Sequence, residues 1–314
     1  MALAFIFPGQ GSQAVGMGKD LAEAFPVAKA VFDEVDAALG QNLSQIMWEG
    51  PQDVLTLTEN AQPALMAHSI AVIRVLEAEK GLDLAKHAKF VAGHSLGEYS
   101  ALAAAGAFTI GDAARLLKLR GQSMQKAVPV GQGAMAALLG VGLDVAQKIA
   151  ADAAQGDVCD IANDNEPTQV VLSGHKTAID RVAEVGKKHG LRRAIPLPVS
   201  APFHCRLLQP AADAMAEALA KVEVKAPVVP VIANVLAAPI SDPAEIKKRL
   251  VEQVTGTVRW RECVLAMAAA GVTTLIEAGS GKVLTGLAGR IDKSLKAQAI
   301  GNAADVQTFA LPGA

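Results

Sequence analysis

A serine between two glycines is the residue of this chain best placed to do chemistry. Residues 93–97 read GHSLG, which puts Ser95 in a G-x-S-x-G pattern. An apolar run at residues 90–92 predicts a buried strand before it, and an Ala-rich stretch at 98–106 predicts a helix after it. In such a unit the sharp turn exposes the hydroxyl, and the helix start offers N–H groups to an oxyanion. The pattern predicts that Ser95 is a nucleophile.

A serine hydroxyl needs a general base, and His204 is the strongest candidate among the six histidines. It follows a proline-rich stretch at residues 196–202, and loops at domain junctions are where clefts form. A structural histidine at a loop-to-helix boundary is the alternative. His94 adjoins the serine and is expected to support the site, with its side chain leaving the turn in another direction. His68 and His189 lie in helical patterns and are interpreted as surface or packing residues.

The acid of a Ser–Asp/Glu–His triad has no well-placed candidate. Of nine candidate carboxylates, eight fall in a predicted small domain and one fits a helix cap, so none follows a strand of the predicted large sheet. The nine are Asp112, Asp144, Asp152, Asp157, Asp160, Asp164, Glu166, Asp180 and Glu184. A backbone carbonyl could orient the imidazole instead.

Two further features could bind a ligand. Arg120 lies among leucines in a predicted helix at residues 110–127, where its planar fork could face the cleft and hold a carboxylate. A solvated arginine beside Lys118 is the alternative. The Gly-rich loop at residues 8–13 contains Gln10, and its glycines would let backbone N–H groups approach a ligand, although an ordinary turn is also compatible.

The composition excludes several classes of protein. The chain has 314 residues, of which 51% are hydrophobic and 19% charged, and its net charge is -2. This near-neutral charge and an aromatic content of 4% argue against a nucleic-acid-binding surface. No apolar run reaches about 18 residues, and the N-terminus lacks a basic region, so neither a transmembrane helix nor a signal peptide is expected.

The cysteines point to a reducing compartment rather than to a metal site. Cys159, Cys205 and Cys263 are far apart, and no metal-ligand spacing links them. Cys205 stands beside His204 and could be a nucleophile. Its surroundings lack an elbow, however, so we interpret it as a small buried thiol.

The order of elements predicts an α/β fold with two parts. Alternating strands and helices at residues 1–129 and 199–314 predict a large α/β-hydrolase-like domain with a mostly parallel sheet. Residues 130–198 show the order β-α-β-β-α-β, which is typical of a small ferredoxin-like domain inserted into the larger one.

Several motifs jointly resemble malonyl-CoA:acyl carrier protein transacylases. They read FPGQGSQ at 7–13, QPA at 62–64, GHSLGEY at 93–99, RG at 120–121, GAM at 133–135, SAPFH at 200–204 and GKVL at 281–284. The resemblance runs from about residue 4 to 292 and extends to the acyltransferase domains of polyketide and fatty acid synthases. A free chain of this length favours the discrete bacterial type II enzyme of fatty acid synthesis.

The resemblance implies a role for each matching residue. Ser95 would take the malonyl group as an ester, and His204 would act first as base and then as acid. Arg120 would hold the malonyl carboxylate, and the backbone N–H groups of Gln10 and Leu96 would form the oxyanion hole.

The resemblance also implies what supports the histidine and which molecules are bound. Gln253 would place a carbonyl against His204, and Phe203 is the residue associated with malonyl rather than methylmalonyl groups. Malonyl-CoA and acyl carrier protein would be the substrates, without a cofactor or metal. We expect a cytoplasmic monomer that binds neither nucleic acid nor membrane.

An acidic carrier protein would need a basic docking surface near the cleft. One candidate cluster is Lys187, Lys188, Arg192 and Arg193. The other is Lys247, Lys248 and Arg249, and for either a solvated charged face is the alternative. Competing functions are a serine hydrolase or thioesterase, an acyltransferase of a polyketide pathway, and a non-catalytic scaffold with the same fold.

Overall fold

The chain's structure, a computed structural model, describes residues 2–199 and 201–311. Ser200, part of the SAPFH motif, lies outside the described residues. The strands are β1 (Leu3–Phe7), β2 (Ala88–Gly93), β3 (Gly133–Leu139), β4 (Cys159–Glu166), β5 (Gln169–His175), β6 (Arg193–Pro196), β7 (Val231–Ala233), β8 (Ala238–Ile240), β9 (Thr274–Ala278) and β10 (Lys296–Ile300).

The α-helices differ widely in length, and α5 is the longest of them. They are α1 (Lys19–Ala24), α2 (Pro26–Leu39), α3 (Leu43–Glu49), α4 (Gln52–Thr56), α5 (Thr58–Lys80), α6 (Leu84–His87), α7 (Gly97–Ala104), α8 (Ile110–Ala127), α9 (Leu143–Ala154), α10 (Lys176–Lys188), α11 (Gln209–Lys221), α12 (Pro243–Thr255), α13 (Trp260–Ala269), α14 (Val283–Ile291) and α15 (Ala303–Thr308).

The larger sheet has six strands in the order β10-β9-β1-β2-β7-β8. All neighbouring strands are parallel except β7 and β8, which are antiparallel. Every residue of β1 is buried, as expected for a central parallel strand covered on both faces. Because β1 and β2 are parallel neighbours, the Gly-rich loop and the GHSLG turn leave the sheet side by side at its carboxyl edge.

The smaller sheet is antiparallel, with the order β4-β5-β3-β6. Its first strand, β3, lies between the third and the fourth, which is the arrangement of a ferredoxin-like unit. Helices α9 and α10 pack against the sheet and against each other. The predicted fold class is confirmed, while the exact division at residues 130 and 198 stays a prediction.

Strand β4 joins the smaller sheet to the larger domain beside the site. Val258, which follows α12, donates its N–H to Ala162 and accepts a hydrogen bond from the N–H of Asp164, at 2.9 and 3.0 Å. Asp164 is only 1% exposed and forms an ion pair of 2.8 Å with Arg261. These contacts fix the position of β4 relative to α12 and α13.

Several predicted boundaries are wrong, for physical reasons. The sequence pattern predicts a helix over residues 63–80, but α5 begins at Thr58, because burial of its first turn overrides the helix-breaking effect of Pro63. The sequence also predicts a strand over residues 228–234, but β7 is limited to Val231–Ala233, since Pro230 has no N–H to donate. Short elements such as α3, α4, α6, β8, β10 and α15 were not predicted, because they hold too few residues to show a period. No helix in the described parts of the chain is long and apolar enough to cross a membrane.

Candidate active site

Ser95 lies in the turn between β2 and α7 with a backbone φ of 55°. This is the left-handed region, which residues with a side chain rarely adopt. Two glycines make the turn possible. A Cβ on Gly93 would lie 1.9 Å from the carbonyl carbon of Gly97, and one on Gly97 would lie 2.3 Å from the carbonyl oxygen of Phe7. The tight elbow predicted from the sequence is confirmed.

His204 approaches the serine from the loop before α11. Its Nε2 lies 2.7 Å from Ser95 Oγ, and its Nδ1 lies 2.8 Å from the backbone carbonyl oxygen of Gln253. A carbonyl oxygen only accepts hydrogen bonds, so Nδ1 carries the proton and the lone pair of Nε2 faces the serine hydroxyl. This is the geometry of a nucleophile with its general base.

The electrostatics of the site keep the imidazole neutral. His204 is 3% exposed. Burial, and next the positive charge of Arg120, lower the pKa of His204 to about 3, although its hydrogen bond to Gln253 acts in the opposite direction. At neutral pH the ring is therefore unprotonated and able to accept the serine proton.

None of the nine candidate carboxylates bonds to His204 within residues 2–199 and 201–311. Asp157, Asp160 and Asp164 each form an ion pair with an arginine, at 2.7, 2.5 and 2.8 Å. Asp112 belongs to the start of α8, where its N–H donates to Thr109 Oγ1 at 3.0 Å, so the predicted helix cap is confirmed. The Gln253 carbonyl occupies the position that an acid has in a triad.

Arg120 is buried within α8 and reaches Ser95. Its Nη1 donates to Gln62 Oε1 at 2.7 Å, and its Nη2 donates to Gln253 Oε1 at 2.9 Å and to Ser95 Oγ at 3.2 Å. The guanidinium carbon also lies 5.7 Å from the centre of the Tyr99 ring. The alternative of a solvated arginine is therefore wrong.

The charge of Arg120 has no ion-pair partner in the described part of the chain. Arginine stays protonated at neutral pH even though burial lowers the pKa of this guanidinium. Among the described residues, Glu98 is nearby but forms neither an ion pair nor a hydrogen bond with it, and burial raises the pKa of Glu98 to about 7. A buried cation beside a serine hydroxyl is suited to bind an anionic group.

The two proposed oxyanion donors lie in adjacent loops. Gln10 follows β1 and Leu96 follows Ser95, while the N–H of His94 donates to the carbonyl of Phe7 at 3.1 Å and ties the loops together. Neither the Gln10 nor the Leu96 backbone N–H is used in a hydrogen bond to the described residues. The side chain of Gln10 is engaged elsewhere, because its Nε2 donates to Thr58 Oγ1. The oxyanion role of the two N–H groups stays a prediction.

Two buried polar residues of the site were missed in the sequence. Glu98 is 1% exposed and Asn234 is fully buried. Glu98 Oε2 accepts hydrogen bonds from the Asn234 N–H at 2.9 Å and from Gln253 Nε2 at 2.8 Å. Asn234 could have been noticed, because it follows a strand at the carboxyl edge of a parallel sheet, where binding residues collect.

A cavity of about 380 Å³ opens above Ser95 and His204. Its lining combines the polar groups of the site with an apolar wall from Met124, Met135, Leu197, Val199 and Phe203. An apolar cleft with a few convergent polar groups is typical of a small-molecule site.

The remaining candidate residues from the sequence lie outside the Ser95–His204 pair. His94 Nε2 bonds to Asn165 Oδ1 at 2.9 Å, and its ring packs beside Trp260, so it turns away from the serine as expected. Cys205 is buried, which raises the pKa of its thiol to about 11, and it donates to the carbonyl of Pro202. No cluster of His, Cys, Asp or Glu in residues 2–199 and 201–311 could hold a metal ion.

Comparison with known proteins identifies the family of this chain. The family model for the acyl transferase domain matches residues 4–307. The chain belongs to the acyl transferase domain family. Among similar proteins, a malonyl CoA-acyl carrier protein transacylase of Bacillus subtilis is 46% identical over 299 residues, which are 95% of this chain and 93% of the relative.

Solved structures of similar proteins share the whole fold of this acyl transferase domain. An acyl-carrier-protein S-malonyltransferase of Bartonella henselae is 57% identical with a TM-score of 0.95, and the match covers 98% of both chains. A malonyl-transacylase solved in complex with its type II PKS acyl-carrier protein is 42% identical with a TM-score of 0.95, and the match covers both chains completely. The family match begins in β1 and ends in α15, so it includes both sheets.

Proposed function

We propose that this chain transfers a malonyl group from malonyl-CoA to the phosphopantetheine thiol of acyl carrier protein through a malonyl ester on Ser95. The observation that carries the proposal is the distance of 3.2 Å between Arg120 Nη2 and Ser95 Oγ. In a malonyl group, one methylene separates the reacting carbonyl from the carboxylate. A receptor for that carboxylate must therefore lie beside the nucleophile, as Arg120 does. The names of the similar enzymes support the same acyl group and carrier.

In the first half-reaction, Ser95 Oγ attacks the thioester carbonyl while His204 Nε2 accepts the hydroxyl proton. The N–H groups of Gln10 and Leu96 stabilise the negative charge on the carbonyl oxygen, and losing one such donor typically costs about 3 kcal/mol. The carbon–sulfur bond then breaks, and the coenzyme A sulfur leaves with the proton from His204. The malonyl ester remains on Ser95.

In the second half-reaction, the carrier's phosphopantetheine thiol takes the place of coenzyme A. His204 accepts the thiol proton as the sulfur attacks the ester carbonyl. The carbon–oxygen bond breaks, and Ser95 Oγ regains the proton from His204. Throughout both steps the malonyl carboxylate stays on Arg120, where it replaces the hydrogen bond between Nη2 and Ser95 Oγ.

Mass spectrometry after mixing with malonyl-CoA tests this function. The intact chain is expected to gain one malonyl group, which peptide mapping locates on Ser95, and Ser95→Ala is expected to gain none. Acyl carrier protein should then remove the group from the enzyme and carry it as a thioester. A scaffold would form no adduct, and a hydrolase would release malonate as fast without the carrier as with it, so either result would contradict the proposal.

The basic cluster of the small domain is the better of the two docking candidates. Lys187, Lys188, Arg192 and Arg193 are all exposed, and none has an ion-pair partner among the described residues. Arg193 begins β6, which leads directly into the segment at residues 197–199 that lines the cavity. In the other cluster, Arg249 is already paired with Glu245 and Glu252, so less positive charge is available to a partner.

Charge reversal distinguishes the two docking candidates. Lys188→Glu together with Arg192→Glu is expected to raise the KM for acyl carrier protein roughly tenfold at low salt, because long-range attraction to an acidic carrier is lost. The KM for malonyl-CoA and the amount of malonyl adduct should change little by comparison. Lys248→Glu is the control on the other cluster, and it is compared with Lys188→Glu alone, which changes the net charge by the same amount. An unchanged KM for the carrier in the double variant would refute this docking surface.

We further propose that the transfer supplies fatty acid synthesis in the cytoplasm and that the chain acts as a monomer without a cofactor. A polyketide pathway is the alternative, since one similar structure is a malonyl-transacylase bound to a type II PKS acyl-carrier protein. The chemistry at Ser95 would be the same in both pathways, so only the identity of the carrier differs.

A further inference from the structure

The neighbouring strands β2 and β7 stop pairing just before the nucleophile. Their parallel register places Ala92 opposite Ile232. Extended by two residues, the same register would place Asn234 opposite His94. In a parallel pair of strands, a bonded residue donates its N–H to the carbonyl of the residue that precedes its partner. Its own carbonyl accepts from the N–H of the residue that follows the partner. The next pair of backbone hydrogen bonds would thus join Asn234 to Gly93 and Ser95.

The side chain of Asn234 makes these two bonds in place of its backbone. Its Nδ2 donates to the carbonyl oxygen of Gly93 at 2.8 Å, and its Oδ1 accepts from the N–H of Ser95 at 2.8 Å. The backbone of Asn234 is bonded elsewhere, with its N–H to Glu98 Oε2 and its carbonyl to the N–H of Arg259, at 2.9 and 3.1 Å. A side-chain amide has the same donor and acceptor as a peptide group, so it can continue the ladder past the end of the strand.

The turn needs such a support. A backbone at φ 55° is strained for serine and persists only where its surroundings hold it. Asn234 is fully buried, so water could not replace its amide without rearrangement. The Ser95 carbonyl is held from the other side, because it accepts from Gln253 Nε2 at 3.0 Å. Both backbone groups of the nucleophile are therefore held by buried side chains.

We propose that Asn234 is a positioning residue. Its side-chain amide adds one more pair of hydrogen bonds between β2 and the segment after β7, and these bonds hold Ser95 at the φ that directs its hydroxyl towards His204. This inference rests on the proposed role of Ser95 as the nucleophile. Asn234 itself is not among the residues that line the cavity, so it is expected to act on the rate and not on the binding of the acyl group.

The test compares Asn234→Ala with the unchanged chain in two assays. A misplaced nucleophile commonly costs on the order of 10²-fold, so kcat for malonyl transfer should fall by about that factor while the KM for malonyl-CoA stays within about twofold. An uncharged sulfonyl fluoride should label Ser95 more slowly by a similar factor, without any need for malonyl-CoA or a carrier. If the unchanged chain is not labelled at Ser95, the proposed nucleophile fails. If both proteins are labelled equally fast, only the role of Asn234 fails.

Two further variants separate positioning from stability. Asn302→Ala removes the cap of α15, so it should lower Tm without slowing either assay. Asn234→Asp keeps an acceptor for the Ser95 N–H and should lose less activity than Asn234→Ala, and it carries the test if the alanine variant does not fold. The proposal would be overturned if Asn234→Asp folded and were as active as the unchanged chain while Asn234→Ala was either equally active or unfolded. So would a KM that rises in proportion to the loss of kcat.

Discussion

Replacing His204 by alanine is expected to slow acylation of Ser95 by about 10²- to 10⁴-fold, the range that a positioned general base contributes. The distance of 2.7 Å between His204 Nε2 and Ser95 Oγ supplies the reason, because no other base in the described residues bonds to that hydroxyl. Rapid-quench measurement of the malonyl adduct gives the rate. His189→Ala is the matched control, since this histidine pairs with Asp152 on the small domain.

The same assignment determines the pH profile. The base works in its neutral form, and a pKa near 3 means that His204 loses this form only as the pH falls towards 3. The pH profile of kcat/KM for malonyl-CoA reports the ionisations of the free enzyme. We therefore expect this profile to show no rise caused by His204 between pH 5 and 7. Burial raises the pKa of Glu98 to about 7, so a limb in this pH range could come from that carboxyl instead. A limb centred near pH 6.5 that persists in Glu98→Gln would contradict the assignment.

Replacing Arg120 by alanine should abolish the preference for acyl groups that end in a carboxylate. Removing one partner of a buried ion pair costs about 3–5 kcal/mol, which corresponds to a loss of roughly 10²- to 5 × 10³-fold in kcat/KM for malonyl-CoA. An acetyl group has no carboxylate to leave unpaired, so acetyl transfer should fall much less. The measurement is the ratio of the two kcat/KM values.

Two variants sharpen this comparison. Arg115→Ala removes an arginine from the same helix whose side chain is 56% exposed, and it should leave the ratio unchanged. Arg120→Lys keeps the charge but loses the planar fork, so an intermediate ratio is expected. Equal losses of malonyl and acetyl transfer in Arg120→Ala would show that the arginine only maintains the structure around Gln62 and Gln253.

The prediction of the fold from sequence succeeded where elements were long and regular. Helix α8 has the bounds predicted above. The patterns at residues 143–154 and 283–291 likewise predict α9 and α14 with their observed bounds, because a sustained apolar period or a cap marks each of these helices. The strand–turn–helix unit around Ser95 was also recognisable, since its two glycines leave few other conformations. Pro63 misled the prediction of α5, because tertiary packing decided where that helix begins.

The prediction of the site was less complete for residues whose role depends on a neighbour. The sequence did not decide whether Arg120 faces a cleft or the solvent, because spacing along a helix does not show which face meets the sheet. Glu98 was absent from the candidate acids, although it lies closest to the serine in sequence. Its carboxylate bonds to Asn234 and Gln253, which are distant in the chain, so only folding reveals its contacts.

By itself, the sequence determined the sharp turn that presents Ser95, because a G-x-S-x-G turn between a strand and a helix is a local structure with local causes. The tertiary structure decided everything that acts on this serine. It placed His204 and Arg120 within hydrogen-bonding distance of Ser95, and it put the Gln253 carbonyl where a triad has its acid. The physical reason is that hydrogen bonds act over about 3 Å, and these residues come within that range only when α8, α12 and the loop before α11 pack around the turn that follows β2.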